Sequence, residues 1–102
     1  MIAVLGTVRL APGEMDRLNM ALTAMMAATQ AEDGCIQYVY ARDITDPNHM
    51  TISELWRDES ALKAHFNSPH MAELNKVLAT AKILALSVKR YDVSNVTTLM
   101  GS

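Results

Sequence analysis

Residues 2–10 alternate in a way that leaves few options for the fold. Successive side chains of a strand point to opposite faces of its sheet, so the stretch predicts a strand. One face would carry Ile2, Val4, Gly6, Val8 and Leu10, and the other Ala3, Leu5, Thr7 and Arg9. Both faces are rather apolar, so a sheet built on this strand needs cover on both sides. A chain of 102 residues is long enough for one domain with a modest core, and not for two.

The rest of the chain is divided by turn-forming residues into helical and extended segments. Apolar spacings of three and four predict helices over 14–32 and 59–67, with Gly34 ending the first and Asp58 capping the second. A further helix is predicted to open at Ser68-Pro69, where Ser is a favourable cap and Pro a favourable first residue. Alternation predicts strands over 35–42, 49–57 and 83–93.

The resulting order, β-α-β-β-α-(α)-β, is typical of an α+β, ferredoxin-like βαββαβ domain with its helices on one face of an antiparallel sheet. We expect this domain to span residues 1–95, followed by a short tail over 96–102. Because the helices cover one face and the first strand is apolar on both, we expect a homodimer. In it, two sheets would meet face to face at a distance of roughly 10 Å.

Composition excludes several classes of protein. The net charge is −2, with 9 basic against 11 acidic residues and no basic block, so we expect no nucleic-acid partner. No apolar run reaches the roughly 18 residues that a membrane span needs, so we expect no membrane segment. The first residues do not resemble a signal peptide, and a single cysteine, Cys35, fits a reducing compartment, so a cytoplasmic location is expected. One Cys and three His do not suggest a zinc site, and no metal is predicted.

The segment from Glu54 to Phe66 carries the most chemistry. Glu54 and Trp56 end one face of a predicted strand, and His65 lies on the inner stripe of the helix that follows. A strand that turns into a helix would bring the carboxylate, the indole and the imidazole together over the sheet. Imidazole ionises near pH 6.5, which suits a general base, and His65 is the candidate. The alternative is structural: His65 as a satisfied core residue, Trp56 as core filling and Glu54 as a hydrogen-bond acceptor.

Other residues are candidates for lining a pocket. Tyr38 and Tyr40 are expected to be half-buried, and either could reach the pocket. Trp56, Tyr38, Met50 and Phe66 are the candidates for binding a substrate. Two further histidines, His49 and His70, are expected to be exposed, and neither is assigned a role.

Four ordered segments resemble the antibiotic biosynthesis monooxygenase family, and its quinol monooxygenase-like members in particular. They are Glu32-Asp33-Gly34-Cys35-Ile36-Gln37-Tyr38, Asp46-Pro47-Asn48, Glu54-Leu55-Trp56 and the run from Ala61 to His70. The resemblance implies a dimeric α+β barrel with a pocket inside each protomer. It also implies oxidation of a small aromatic or quinol substrate by O2 without flavin, haem or metal. On the matching positions, His65 would act as base, Trp56 would confine a flat ring, and Glu54 would orient His65 or the substrate hydroxyl.

Two other readings of the resemblance stay open. The chain could be a non-catalytic dimeric barrel that binds a hydrophobic ligand or acts as an interaction module. It could also be a small-molecule isomerase that uses the same histidine. Haem degradation is disfavoured, because Gly6, His65 and Asn75 stand where the haem-degrading relatives have Asn, Trp and His.

Overall fold

The computed structural model of the protein describes residues 1–101. Its strands and helices follow the predicted order. They are β1 (Ile2–Leu10), α1 (Glu14–Gln30), β2 (Cys35–Arg42), β3 (His49–Trp56), α2 (Glu59–Phe66), α3 (Pro69–Leu78) and β4 (Ile83–Asp92). None of these helices is both long and apolar enough to cross a lipid bilayer.

The four strands form one antiparallel sheet in the order β2-β3-β1-β4. This order and the three helices give the ferredoxin-like α+β fold that the sequence predicts. Helices α1 and α3 pack together, and the core lies between the helices and the inner face of the sheet. Val4, Val8 and Leu10 of β1 belong to that core, and each is less than a tenth exposed.

Side-chain caps fix where the two short helices begin. The Asp58 carboxylate accepts a hydrogen bond from the Ala61 N–H at 2.9 Å, and the Ser68 hydroxyl accepts one from Met71 at 3.2 Å. The sequence predicts both caps, and both satisfy N–H groups that a helix leaves unpaired. They fix the residues at which α2 and α3 begin.

The outer face of the sheet is less apolar than β1 alone suggests. Leu5 is 48% exposed there, as expected, and Ala3 is 9% exposed. The residues beside Leu5 on the neighbouring strands are Ser53 and Lys89. The outer face is therefore mixed in character, because the strands flanking β1 contribute polar side chains to it.

Strand β2 departs from the predicted alternation at its start. Its register against β3 shifts between Cys35 and Gln37, which leaves Ile36 as the extra residue of a bulge. Ile36 is 53% exposed, whereas Cys35 lies opposite Trp56 and packs on the core. Strict alternation over 35–42 would place Ile36 on the inner face with Tyr38, and this is wrong because the bulge turns Ile36 outward.

Candidate active site

A cavity of about 230 Å³ lies between the inner face of the sheet and the three helices. Most of its wall is aliphatic, with contributions from β1, α1, β3 and α3. Representative wall residues are Val4, Val8, Leu18, Leu22, Met50 and Leu74. The hydrogen-bonding side chains on the wall are those of Tyr40, Glu54 and His65. An apolar pocket with a few polar groups is the usual form of a small-molecule site.

His65 has its two ring nitrogens in different environments. The residue is 2% exposed, and its Nδ1 lies 2.7 Å from Oε2 of Glu32. A carboxylate only accepts hydrogen bonds, so Nδ1 carries the hydrogen and the neutral ring has its lone pair on Nε2. Nε2 has no hydrogen-bond partner in the protein. Among residues 1–101, Thr29 Oγ1 is the only fully buried side-chain nitrogen or oxygen without a hydrogen-bond partner, so Nε2 is not fully buried. Nε2 is therefore accessible, and His65 lines the cavity.

Glu32 binds a second histidine as well. Oε2 of Glu32 lies 2.6 Å from Nε2 of His70, so two imidazoles converge on one carboxylate oxygen. The three donor atoms lie within 4.8 Å of one another, so this cluster could also hold a metal ion. Sequence reasoning missed it. His70 is not exposed as expected, because its side chain is only 24% accessible and is bound to Glu32.

Glu54 does not orient His65, which corrects that part of the sequence interpretation. Its Oε1 instead accepts a hydrogen bond from the Trp56 indole N–H at 2.9 Å. Glu54 is 9% exposed, and burial raises its pKa, with the Trp56 hydrogen bond and the nearby His65 opposing that rise. The rise follows because the apolar wall solvates a charge poorly. Glu54 is thus a carboxyl group on the cavity wall that could donate or accept a hydrogen bond.

Trp56 and Tyr38 lie behind the cavity wall. Trp56 is 0% exposed, and its ring packs on His65 with the centroids 4.7 Å apart and the planes tilted by 38°. Tyr38 is 2% exposed, with its ring centroid 5.3 Å from that of His65. Neither residue lines the cavity. Together they pack against the imidazole, and they touch the cavity wall through His65, Glu54 and Tyr40.

The aromatic side chains on the cavity wall are Tyr40 and Phe66. The Tyr40 hydroxyl is hydrogen-bonded to that of Tyr38, and burial raises the pKa of Tyr40 to about 12, so it stays protonated near pH 7. Phe66 is 59% exposed and lies on the same wall. Met50 lines the inner wall and is 4% exposed. The structure therefore brings His65, Glu54, Met50 and Phe66 together, with Tyr40 in the place expected for Tyr38.

The fold and this cavity define a class: small α+β domains that hold a ligand-sized apolar pocket between a four-stranded sheet and its helices. Residues 1–77 match the sequence profile of the antibiotic biosynthesis monooxygenase family. The chain belongs to that family.

Known proteins of similar sequence and structure include one that carries the same family name. A crystal structure from Deinococcus radiodurans that carries the family name is 26% identical, has a TM-score of 0.88, and covers 99% of this chain and 100% of its own. A structure from Pseudomonas aeruginosa is 28% identical with a TM-score of 0.79, covering 91% of this chain and 94% of its own. An uncharacterised protein of Synechocystis is 26% identical over 98 residues, which are 96% of this chain and 67% of that protein.

Proposed function

We propose that the protein is a cofactor-independent monooxygenase that oxidises a small aromatic or quinol substrate with O2. The observation that carries the proposal is the state of His65. Its Nδ1–H is held by Glu32, and its Nε2 has no protein partner on the wall of a largely apolar cavity. Membership of a family named for monooxygenases supports the same chemistry.

The size and lining of the cavity fit a single flat ring. An apolar protein cavity of about 150 Å³ can hold benzene. The cavity here is about 230 Å³, which leaves room for ring substituents. Aliphatic side chains would contact the ring faces. Tyr40, Glu54 and His65 would receive its hydroxyl groups.

The role of His65 is to take a proton from the substrate. A phenol ionises near pH 10, so it is almost entirely protonated at pH 7 without help. His65 Nε2 would accept the hydroxyl proton, and the electron-rich anion would pass an electron to O2. A placed base contributes about 10²–10⁴ in rate.

The overall reaction balances without an external reductant. A quinol that consumes one O2 and yields a hydroxyquinone and one water gives up four electrons. The same four electrons reduce O2, with one oxygen atom entering the ring and the other leaving as water. The protein therefore has to bind, orient and deprotonate the substrate, and His65 returns its proton as water forms.

Oxygen uptake with a panel of reduced quinols tests the proposal. A chelator is present, and spontaneous autoxidation is subtracted. His65→Gln, which cannot act as a base at this position, is expected to lower uptake by a hundredfold or more. His49→Gln is the matched control, because His49 binds Asp43 in the 43–49 connection rather than lining the cavity.

The outcomes also separate the other readings. Equal rates in the wild type and His65→Gln would refute the role of His65. Binding of quinols without turnover would instead indicate a ligand-binding module. Turnover that continues under anaerobic conditions would indicate an isomerase.

A further inference from the structure

We propose that Glu32, His65 and His70 form a binding site for one divalent ion of the zinc type, held by two imidazole nitrogens and a carboxylate oxygen. One donor atom from each of the three side chains lies within 4.8 Å of the others. The site is additional to the substrate cavity, and its existence does not depend on the proposed function. Only its effect on catalysis rests on that function.

The three donor atoms converge to almost the spacing that a metal ion requires. Oε2 of Glu32 lies 2.7 Å from Nδ1 of His65 and 2.6 Å from Nε2 of His70. Around a tetrahedral zinc ion with bonds of about 2.0–2.1 Å, neighbouring donor atoms lie about 3.3 Å apart. Oε2 therefore has to retreat from each nitrogen by about 0.7 Å to admit the ion. Glu32 can make that movement, because 15% of its side chain is accessible and it lies in the turn between α1 and β2.

The two imidazoles are held in place by separate elements. His65 on α2 is 2% exposed and packs against Trp56 and Tyr38. His70 is the second residue of α3, whose start is fixed by the Ser68 cap. The centroids of the two imidazole rings are 6.0 Å apart. Ligands that are already positioned lose little conformational freedom when an ion binds, so the site is largely pre-organised.

The donor set selects the kind of ion. Imidazole nitrogen suits zinc, copper, iron and nickel, whereas calcium and magnesium take oxygen ligands. Two histidines and one carboxylate leave the fourth tetrahedral position of a zinc ion for water. His70 lines a groove of about 350 Å³ between α1 and α3, and its side chain is 24% accessible. The ion and its water therefore have a route from solvent.

No fixed positive charge in residues 1–101 competes with a metal ion for Glu32. The side-chain partners of its carboxylate are the two imidazoles, and no lysine or arginine of that range forms an ion pair with it. Arg57 lies against Gly34 of the same turn, but it is paired with Asp33 and Asp58. The negative charge of Glu32 is therefore available to a dication.

Metal binding would change the hydrogen-bonding state of His65. A neutral imidazole that coordinates through Nδ1 uses the lone pair of that nitrogen, so its hydrogen is on Nε2. The Nδ1 hydrogen leaves to water, and Nε2 takes a hydrogen from water. Under the proposed function, Nε2 is the atom that accepts the substrate proton. A bound ion would therefore block that step, and we expect the site to be inhibitory.

Zinc binding to the untagged protein, measured by competition with a chromophoric chelator, tests the site. Zn²⁺ is the probe because it has no redox chemistry of its own with quinols. We expect one ion per wild-type chain with a dissociation constant of about 10 μM or tighter, since three protein ligands bind less strongly than a closed four-ligand site. Co²⁺ at the same place should show the intense visible absorption of a tetrahedral ion. Excess Mg²⁺ should not displace the zinc.

His70→Gln is the decisive variant, because it keeps a hydrogen-bond donor toward Glu32 and removes a metal ligand. Loss of even an outer-shell partner weakens metal binding by about 10–100-fold, so His70→Gln should raise the dissociation constant at least about tenfold. Glu32→Gln should do the same, and circular dichroism checks that each variant is folded. His49→Gln is the matched control, since it removes an imidazole that is bound to Asp43 outside the cluster, and it should leave the dissociation constant unchanged.

Three results would overturn the site. The first is a wild type that binds no zinc at concentrations of about 10 μM. The second is a folded His70→Gln or Glu32→Gln variant that binds zinc as tightly as the wild type. The third is ready displacement of zinc by Mg²⁺, because that would indicate oxygen ligands rather than imidazoles.

Zinc binding needs no turnover, so its result is separate from the oxygen-uptake result. If zinc binds and no quinol is oxidised, the site stands and the proposed function fails. If quinols are oxidised in the presence of chelator and no zinc binds, the reverse holds. Where both occur, zinc without chelator should lower uptake by the wild type at least about tenfold. His70→Gln should need at least about tenfold more zinc for the same inhibition. Unchanged uptake with zinc bound would overturn the inhibitory role.

Discussion

Gly34 holds the turn that carries Glu32, and its replacement by Ala should destabilise the protein strongly. Its φ of +84° lies in the left-handed region that L side chains avoid, and a Cβ there would lie 2.5 Å from Cβ of Ala61. The backbone term costs roughly 1–2 kcal/mol. The overlap with α2 costs a further ~1–3 kcal/mol, as in other overpacked sites. We therefore expect Gly34→Ala to lower the free energy of unfolding by roughly 2–5 kcal/mol.

Gly13→Ala separates the two contributions. Gly13 has almost the same φ, +87°, but a Cβ added there would meet nothing within 4 Å, so only the backbone term applies. Urea unfolding followed by the fluorescence of Trp56, the single tryptophan and fully buried, measures both variants. Gly34→Ala should be the less stable of the two by at least about 1 kcal/mol.

A double-mutant cycle with Ala61→Gly tests the overlap directly. Ala61→Gly removes the atom that the new Cβ would meet, at a cost of its own of about 1 kcal/mol for Gly in a helix. Gly34→Ala should then cost less in the Ala61→Gly background than in the wild type. If Gly34→Ala costs no more than Gly13→Ala, or costs the same in both backgrounds, the steric argument is refuted.

Three further predictions concern burial, pH and assembly. Thr29→Val should raise the free energy of unfolding by about 1 kcal/mol in urea unfolding, because the fully buried Thr29 hydroxyl has no partner; a loss of stability would contradict this. Because the pKa of Glu54 is raised in the folded protein, the folded state of the wild type is most favoured at low pH. Its free energy of unfolding then falls as pH rises above 4.5, the ordinary pKa of a glutamic acid. Glu54→Gln lacks that loss, so its stability relative to the wild type should increase with pH in thermal unfolding across that window; a pH-independent difference would exclude a role of burial. Finally, the half-exposed Leu5 and the exposed edge strand β4 fit a homodimer, which light scattering at micromolar concentration tests; a monomer there would refute it.

Much of the fold could be predicted from local patterns. The alternation of β1 gave the correct core face because Val4, Val8 and Leu10 repeat with the period of a strand. The caps at Asp58 and Ser68 are local hydrogen bonds, so residue type and position suffice to place them. The Ile36 bulge was missed because it depends on the register against β3, which no pattern within β2 contains.

The candidate site was only partly predictable, because some of its contacts join residues that are far apart in the chain. Glu54 and His65 were found because the strand and helix that carry them are consecutive in the chain. Glu32 was missed because it lies 33 and 38 residues from the two histidines that it binds. Its partners lie on α2 and at the start of α3, so only the packing of the folded chain brings them to Glu32. Glu54 was the only carboxylate that local spacing placed near His65. Only the three-dimensional structure could show that Oε1 of Glu54 accepts a hydrogen bond from the Trp56 indole N–H.

The two carboxyl groups near His65 are suited to different tasks by their surroundings. Glu54 faces an apolar cavity and accepts one neutral N–H, and burial raises its pKa by opposing its charged form. Glu32 receives two imidazole N–H groups and retains contact with solvent, with 15% of its side chain accessible. Under the proposed function, His65 is the acceptor of the substrate proton, and Glu32 is the group that can stabilise the resulting charge. Because Gly34 sets the turn that presents Glu32, straining that turn should reduce activity by more than the fraction of protein that unfolds.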